Sequence, residues 1–246
     1  INEVDMGMTG TLPCLNKRGV EFAIRVCHAL HMEIDELLCF DRKNYYYSDL
    51  PKGFQITQDK RPIGRNGYLM IEVDGEEKRI DIERLHMEED TAKQLHLTDY
   101  SLIDYNRAGI PLIEIVTKPC IRSGKEASAY LEALRQVFLY TEVSDAKLEE
   151  GSMRCDVNVS IRPFGQEAFG TRTEIKNLNS ISNVQKAIDY EAERQQEVIE
   201  SGGEVLQETR RYDEVEKITT VMRSKGDAVD YKYYTEPNIL PIRLDH

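Results

Sequence analysis

The chain has 246 residues, of which 40% are hydrophobic, a length that allows one large domain or two small ones without disulfide staples. Its net charge of −12 argues against strong nucleic-acid binding by this chain alone, because such proteins usually carry a basic face, but it is compatible with chemistry on metal-bridged phosphates. No segment approaches the length of a membrane span, and five scattered cysteines without a C-x-x-C pair predict reduced thiols in a cytosolic protein.

The first predicted element is a helix over about 17–32, with Asn16 as its expected N-cap. Three consecutive tyrosines follow in FDRKNYYYSDLPKGFQITQ, residues 40–58. Lys43 could meet a phosphate as a point charge, and one or two of the tyrosines could pack against a substrate. The alternative is a strand whose tyrosines fill the rim of the core, since strands favour tyrosine.

Alternating runs on both sides of Asp74-Gly75 predict a β-hairpin over residues 66–90. Its second strand ends in one imidazole and three carboxylates, at His86, Glu88, Glu89 and Asp90. Carboxylates at the end of a strand suit Mg²⁺, which takes oxygen ligands and usually keeps one or two carboxylates together with phosphate. The alternative is an ordinary acidic loop.

A further strand, interrupted by Gly109 and Pro111, is predicted within residues 101–119. Glu114 lies in its apolar run PLIEIV, where a buried carboxylate is costly unless it meets water, a cation or a metal. A second polar cluster precedes that run, at Asp104, Asn106 and Arg107. Next, Ser123 and Glu126 form a capping box that predicts a helix to about residue 140.

The segment 149–180 predicts a hairpin in which polar residues share one face. Arg154, Asp156, Asn158 and Ser160 alternate with Cys155, Val157, Val159 and Ile161. In the second strand Arg172, Glu174 and Lys176 fall on one side. If the two polar faces align, carboxylates that suit a divalent ion and cations that suit phosphate lie on one sheet surface. The alternative is a solvated face laced with salt bridges.

The chain closes with a third helix and another predicted hairpin. Ser180 or Ser182 is the expected cap of a helix that ends near Glu200, and we interpret its run EAERQQE as a solvated face. Residues 204–222 predict the last hairpin. The order of elements predicts an α+β fold, a doubled and mostly antiparallel sheet with helices on one face. No G-x-G-x-x-G or G-x-x-x-x-G-K-[ST] motif occurs, which excludes a Rossmann or P-loop phosphate site.

Long blocks of the chain resemble the GatB family, the B subunits of aspartyl/glutamyl-tRNA amidotransferases. The blocks are FDRKNYYYSDLPKGFQITQ, RLHMEED, DYNRAGIPLIEIV, LEEGSMRCDVNVSIRPFGQEAFGTRTEIKNLNSI, and QETRRYDE with VMRSK. They occur in the family's order and cover essentially the whole chain.

The resemblance implies one subunit of a cytoplasmic heterotrimer, a carbon–nitrogen ligase with glutamine as amido donor. With ATP and Mg²⁺, this subunit would phosphorylate the side-chain carboxylate of Glu on tRNA(Gln), or of Asp on tRNA(Asn). Ammonia from an amidase subunit (GatA) would then displace the phosphate. A small third subunit (GatC) and the mischarged tRNA are the other implied partners, and the implied fold is a cradle like that of glutamine synthetase.

The same resemblance implies roles for the charged residues of these blocks, because phosphoryl transfer chiefly needs positioning and charge neutralisation. The expected metal ligands are Glu89, Glu114, Asp156 and Glu174. The expected catalytic cations are Lys43, Arg107, Arg154 and Lys176. The expected substrate-binding residues are Tyr45, Tyr47, Asn106, Asn158 and Asn177. We expect these sets to gather in one basin, and Glu89 and Lys43 lie in the most distinctive blocks.

Compared with the family, residues 1–246 look like the cradle (kinase) domain without its first strand, which carries a Gly-apolar-Glu-x-His motif, and without the helical and tail domains that grip tRNA. Two other interpretations stay open. One is a free-standing carboxylate–amine ligase of the glutamine synthetase type that acts on a small molecule. The other is a non-catalytic scaffold that docks partners.

Overall fold

The computed structural model describes residues 1–224 and 231–245, with side chains for all of these except 223 and 224. Its helices are α1 (Lys17–Ala29), α2 (Gly124–Tyr140) and α3 (Ile181–Glu200). The first strands are β1 (Glu33–Ile34), β2 (Leu37–Leu38), β3 (Asp41–Asn44), β4 (Phe54–Thr57), β5 (Gly64–Val73), β6 (Glu76–Glu89), β7 (Lys93–His96), β8 (Ser101–Asp104) and β9 (Pro111–Thr117). The last strands are β10 (Val157–Val159), β11 (Thr173–Lys176), β12 (Glu208–Asp213), β13 (Ile218–Ser224), β14 (Lys232–Thr235) and β15 (Ile242–Arg243). Lys225, the last residue of the VMRSK block, lies outside the described residues.

The chain divides into two compact units. The first unit contains Ile1–Leu69, Asp81–Lys118 and the described part of Val229–His246, and the second contains Met70–Ile80 and the described part of Pro119–Ala228. The four-stranded sheet in the order β1-β5-β6-β9 belongs to the first unit except for the parts of β5 and β6 within Met70–Ile80. The first unit also holds a three-stranded sheet β14-β3-β4 and the pairs β15-β2 and β7-β8. The second unit holds the four-stranded sheet β10-β11-β12-β13. These elements confirm a mixed α/β fold with several sheets, antiparallel in most of their pairings.

The three predicted N-caps are present, and each caps its helix by accepting a backbone N–H. Asn16 Oδ1 accepts from Gly19 at 3.1 Å, Ser123 Oγ accepts from Glu126 at 3.1 Å, and Ser180 Oγ accepts from Asn183 at 3.0 Å. These side chains satisfy backbone donors that the first turn of a helix leaves unpaired. The predicted hairpin turn is also confirmed, since Asp74 and Gly75 both have positive φ, as a type I′ turn requires.

In the first unit, α1 lies close to β5 because β5 carries glycine where the two meet. The face of α1 that is buried consists of Val20, Ala23, Val26 and Cys27. A Cβ atom at Gly64 would lie 2.7 Å from Cys27 Sγ, and one at Gly67 would lie 2.5 Å from Leu30 O. Any side chain at these two positions would therefore push the helix away from the sheet.

In the second unit, α3 contacts α2 on one side and the sheet strands β10 and β13 on the other. The sheet is antiparallel except for β11 and β12, which run parallel. Its buried residues on the side of α3 are Val159, Thr173, Ile175, Tyr212 and Thr219. This packing leaves the opposite face of the sheet for the polar residues of β10 and β11.

Two predicted strands are changed by the structure. The strand predicted over 101–119 is two separate strands, because the chain turns at Gly109 with φ +77° and β8 pairs with β7 while β9 pairs with β6. The strand predicted from Arg154 is regular only over Val157–Val159. Its alternation of exposed and buried side chains nevertheless holds, since Asp156 and Asn158 are exposed while Val159 is buried.

The interpretation of EAERQQE as a solvated face holds for Glu193, Gln196 and Glu197, which are exposed, and is wrong for Glu191 and Gln195. Glu191 and Gln195 are 0% and 1% exposed, and the Glu191 carboxylate accepts hydrogen bonds from Arg194 at 2.6 Å and from Thr219 at 2.9 Å. Arg210 lies 3.7 Å from the same carboxylate. Glu191 and Gln195 thus face the sheet, and the buried carboxylate is paired as burial requires.

Burial alone would raise the pKa of this carboxyl group, but hydrogen bonds from Arg194, Gln195 and Thr219 hold the pKa of Glu191 below its ordinary value of 4.5. Since the folded-state pKa lies below the unfolded one, the resulting stability is fully present above the unfolded pKa. It is lost as the pH falls through the lowered folded-state pKa.

Glu191→Ala is therefore expected to lower the free energy of unfolding by about 3 kcal/mol, because Arg194 and Arg210 lose their shared carboxylate. Urea unfolding at pH 7 measures this. Glu193→Ala, on the exposed side of the same helix, is the control and should change stability by less than about 0.5 kcal/mol. The difference between wild type and Glu191→Ala should shrink in strong acid. Equal loss in the two variants would contradict a structural role for Glu191.

Candidate functional site

A group of metal-ligand type lies in the first unit, where β6 and β9 pair. The antiparallel register sets His86 directly opposite Glu114, and Glu88 lies two residues along β6 on the same face. His86 Nε2 is 3.6 Å from Glu88 Oε2 and 3.8 Å from Glu114 Oε2. One ligand atom from each of the three side chains lies within 4.8 Å of the others. We call these three residues the His86 cluster.

The donor set of the His86 cluster fits a divalent cation. Two carboxylates suit Mg²⁺ or Mn²⁺, and an imidazole nitrogen is a common additional ligand for transition metals. His86 Nδ1 is buried and has no hydrogen-bond partner within the described residues. Nδ1 points to a different side of the ring from Nε2, the nitrogen that lies near Glu88 and Glu114, so the fit to a cation rests on the donor set of Nε2 and the two carboxylates.

The position of β6 at the His86 cluster is fixed by a buried glutamine. Gln58 is 0% exposed, and its Oε1 accepts hydrogen bonds from Met87 N at 2.9 Å and from Ile63 N at 3.1 Å. Its Nε2 donates to Cys39 O at 3.0 Å. Met87 lies between His86 and Glu88, so this side chain holds the backbone from which both ligand groups project.

Glu89, the residue singled out in the sequence, points away from the His86 cluster because it is one residue out of phase with Glu88. Its carboxylate forms an ion pair with Lys52 and accepts a hydrogen bond from Ile56 N at 2.9 Å. The side chain is 14% exposed. The structure thus places Glu114, but not Glu89, in the His86 cluster, and a metal role for Glu89 stays a prediction.

The predicted cation Lys43 lies among tyrosines. Its Nζ is 4.2 Å from the ring centroid of Tyr231 and 5.7 Å from that of Tyr45, within cation–π range. Tyr45 meets Tyr231 edge to face at 5.3 Å, and burial, followed by the charge of Asp49, raises the pKa of Tyr45. Tyr45 therefore fills a rim of the core, while Tyr47 is 52% exposed to solvent, and a substrate contact by either tyrosine stays a prediction.

Two further predicted residues lie in the turn between β8 and β9. Arg107 Nε is 3.5 Å from Asp90 Oδ2. Asn106 donates from both its backbone N and its Nδ2 to Asp104 Oδ1, at 2.9 and 2.7 Å. These contacts order the turn, and Arg107 remains more than a third exposed.

In the second unit, β10 and β11 form the predicted polar surface, which we call the charged sheet face: Asp156, Asn158, Glu174 and Lys176. Asn158 lies opposite Glu174 in the antiparallel register. Lys176 Nζ is 2.9 Å from Asp156 Oδ2 and 3.5 Å from Glu174 Oε1. Partial burial favours the neutral amine, but Asp156 and Glu174 outweigh this effect and raise the pKa of Lys176. The lysine therefore remains a cation at neutral pH.

The remaining predicted residues of the second unit flank this face. Arg154 is exposed just before β10. Asn177 follows β11 with φ +64°, and its Nδ2 donates to Tyr212 O at 3.0 Å. Asparagine tolerates positive φ, and this backbone conformation, held by the hydrogen bond to Tyr212, ends the strand at Asn177.

The predicted site residues thus fall into two groups, one in each unit. The first unit holds Lys43, Tyr45, Tyr47, Glu89, Asn106, Arg107 and Glu114, and the second holds Arg154, Asp156, Asn158, Glu174, Lys176 and Asn177. Their convergence on one basin stays a prediction. His86 and Glu88 belong to the strand end that the sequence marked as suited to Mg²⁺, but they were not among the expected ligands. The two-residue period of a strand assigns both, and not Glu89, to one face.

The first unit thus holds a cluster of cation-ligand type, and the second holds two carboxylates and a lysine that pair on one face of a sheet. Comparison with known families identifies the family of the chain. The model of the GatB/GatE catalytic domain matches residues 1–246, and the chain belongs to that family.

Relatives with assigned names are similar over almost the whole chain. The chain is 59% identical over 244 residues to the B subunit of the aspartyl/glutamyl-tRNA(Asn/Gln) amidotransferase of Mesoplasma florum. It is 57% identical over 244 residues to the protein of that name from Staphylococcus aureus, and 56% identical over 245 residues to the one from Mycoplasma mycoides. Each match covers 99% of this chain and 51% of the relative, so the chain spans about half the length of these relatives.

The His86 cluster makes a direct prediction about cation binding. Glu114→Gln is expected to weaken Mn²⁺ binding about tenfold or more, because it removes one of the two anionic ligands and keeps the size of the side chain. Electron paramagnetic resonance of free Mn²⁺ measures the affinity. Glu83→Gln, an exposed position on the same strand, is the control. Equal Mn²⁺ affinity in both variants would rule out the cluster as a cation site.

Proposed function

We propose that this chain carries the ATP-dependent activating step of tRNA-dependent amidation. It phosphorylates the side-chain carboxylate of Glu on tRNA(Gln) or of Asp on tRNA(Asn), and ammonia from an amidase subunit then forms the amide. Family membership over the whole chain and the names of the relatives support this proposal. The structural observation that carries it is the His86 cluster, a group of ligands of the kind that Mg·ATP chemistry requires.

The chemistry explains why the site is built from charges. A carboxylate is a poor electrophile, so one of its oxygens first attacks the γ-phosphorus of ATP, and ADP leaves. Ammonia then attacks the carbonyl carbon of the acyl phosphate, and inorganic phosphate leaves with the former carboxylate oxygen. Negative charge accumulates on the reacting groups in both steps, so the protein must position these groups and neutralise their charge. A bound Mg²⁺ would supply neutralisation at the nucleotide phosphates.

The residues of the chain take the following proposed roles. His86, Glu88 and Glu114 hold the cation in the first unit, with Glu89 as a further candidate ligand. Asp156 and Glu174 hold either a cation or the ammonium group of Lys176. The cations that neutralise the transferred phosphoryl group are Lys43, Arg107, Arg154 and Lys176. The residues that contact the substrate are Tyr45, Tyr47, Asn106, Asn158 and Asn177.

Several broader features belong to the same proposal. Residues 1–246 form the kinase domain, with a cradle architecture like that of glutamine synthetase. The domain works in a cytoplasmic heterotrimer with an amidase subunit and a small third subunit, as a carbon–nitrogen ligase that takes its nitrogen from glutamine. Mischarged tRNA is the substrate. Within the described residues, no helix combines the length and the apolar character needed to cross a membrane.

The decisive experiment uses the full-length subunit assembled with its two partner subunits. Formation of Gln-tRNA(Gln) or Asn-tRNA(Asn) is followed with glutamine, and separately with ammonium chloride, which bypasses the amidase. The proposal expects amidation that requires Mg²⁺ and ATP with either nitrogen source. Turnover of free glutamate without tRNA would favour a free-standing ligase. Absence of Mg·ATP binding by calorimetry would favour a scaffold.

Glu89→Ala is expected to abolish ATP-dependent amidation in that complex and to leave hydrolysis of glutamine by the amidase subunit unchanged. Amidation is expected to be lost because the proposal assigns the Glu89 carboxylate to the ATP-dependent step. Lys52→Met tests whether Glu89 acts only through Lys52, its ion-pair partner. An equal loss in Lys52→Met would assign Glu89 to holding Lys52, and full amidation by Glu89→Ala would refute any role for Glu89 in the step.

A further inference from the structure

Thr209, a residue outside every predicted site, contacts the charged sheet face directly. The parallel pairing of β11 and β12 sets Thr209 beside Glu174. Its hydroxyl donates a hydrogen bond to Glu174 Oε2 at 3.0 Å. Thr209 is 8% exposed, and a nearly buried hydroxyl costs free energy unless it is hydrogen-bonded. The hydrogen bond to Glu174 therefore explains why this position carries threonine and not valine, which has nearly the same shape but no hydroxyl group.

The hydrogen bond from Thr209 completes a chain of contacts across the charged sheet face. The other carboxylate oxygen of Glu174, Oε1, lies 3.5 Å from Lys176 Nζ. Lys176 Nζ in turn lies 2.9 Å from Asp156. A carboxylate that is held at both oxygens has a fixed orientation, and it fixes the ammonium group beside it.

The strand pairing around Thr209 is irregular at this point. Thr209 lies opposite position 223 of β13, whereas the next residue, Arg210, lies opposite Val221. The extra residue on β13 is Met222, so the pair contains a β-bulge. Bulges re-aim side chains and occur preferentially beside active sites. The extra residue is on β13, and on β12 ordinary strand alternation places the two neighbours on opposite faces. Thr209 contacts Glu174, while Arg210 donates to the hydroxyl of Thr219 beneath α3, at 2.8 Å.

We propose that Thr209 is a positioning residue for the phosphoryl-transfer step. Its hydroxyl orients Glu174, and through Glu174 it holds the ammonium group of Lys176 in place. This inference rests on the proposed function, because it concerns residues that the proposal assigns to the transferred phosphoryl group. Loosening such a group by a fraction of an ångström costs catalysis more than it costs ground-state binding.

The test compares Thr209→Val with Thr209→Ser in the full-length assembled complex. Thr209→Val keeps the volume and removes the donor, and it is expected to lower kcat of ATP-dependent amidation about tenfold while the Kd of Mg·ATP, measured by calorimetry, changes less than about twofold. Thr209→Ser restores the hydroxyl and should recover most of the lost kcat. The matched control is Thr220→Val, since Thr220 lies on the same sheet opposite Arg211 and not beside Glu174.

Each outcome separates a positioning role for Thr209 from a role in packing alone. Wild-type kcat in Thr209→Val would overturn the inference, and so would an equal loss in Thr220→Val. A loss of kcat that Thr209→Ser does not recover, together with a lowered Tm, would assign Thr209 to packing and would also overturn it. If the wild-type complex shows no ATP-dependent amidation, the proposed function itself fails, which is a separate result.

Discussion

The antiparallel register of β6 and β9 is the constraint on which the candidate site in the first unit depends. Strand side chains alternate with a period of two, so the register that opposes His86 and Glu114 also assigns Glu88 to their face and Glu89 to the other. A slip of one residue would exchange Glu88 for Glu89 and break the cluster. Gln58 opposes such a slip, because it binds the backbone N–H of Met87 from a fully buried position.

Two kinds of carboxylate differ in their burial and in the number of donors that contact them. Glu191 is fully buried and saturated by donors, and it stabilises the fold. Glu114 is 54% exposed on its side chain and has an imidazole as its near neighbour. Asp156 and Glu174 lie between these extremes, since each is partly exposed and shares Lys176. A carboxylate that keeps lone pairs and solvent access can bind a ligand, whereas a saturated one cannot.

The sequence predicted local structure well where the signal is local. The caps Asn16, Ser123 and Ser180 and the turn at Asp74-Gly75 depend on residues within four positions of each other, and all are present. The polar face of β10 and β11 was also predictable, because alternation alone defines it.

What failed depended on contacts distant in sequence. The run around Glu191 reads as a solvated face until Thr219 and Arg210, far along the chain, are known to lie against it. Glu88 and Glu89 lie on opposite faces of β6, as the strand period requires, and a metal role for Glu89 stays a prediction. No local pattern marks Gln58 or Thr209, since their importance comes from a partner strand and not from their neighbours.

The acidic net charge is compatible with the proposed phosphate chemistry because the relevant electric fields are local. A net charge of −12 would repel polyanions at long range, but salt screens exposed charges beyond roughly 8 Å at physiological ionic strength. Within that distance, a phosphate at the charged sheet face would meet Lys176, whose raised pKa keeps it cationic. Asp156 and Glu174 fix the position of this ammonium group through their ion pairs with it. The acidity of the chain therefore does not exclude a phosphate contact, because what a phosphate meets at short range is the arrangement of individual charges and not the net charge.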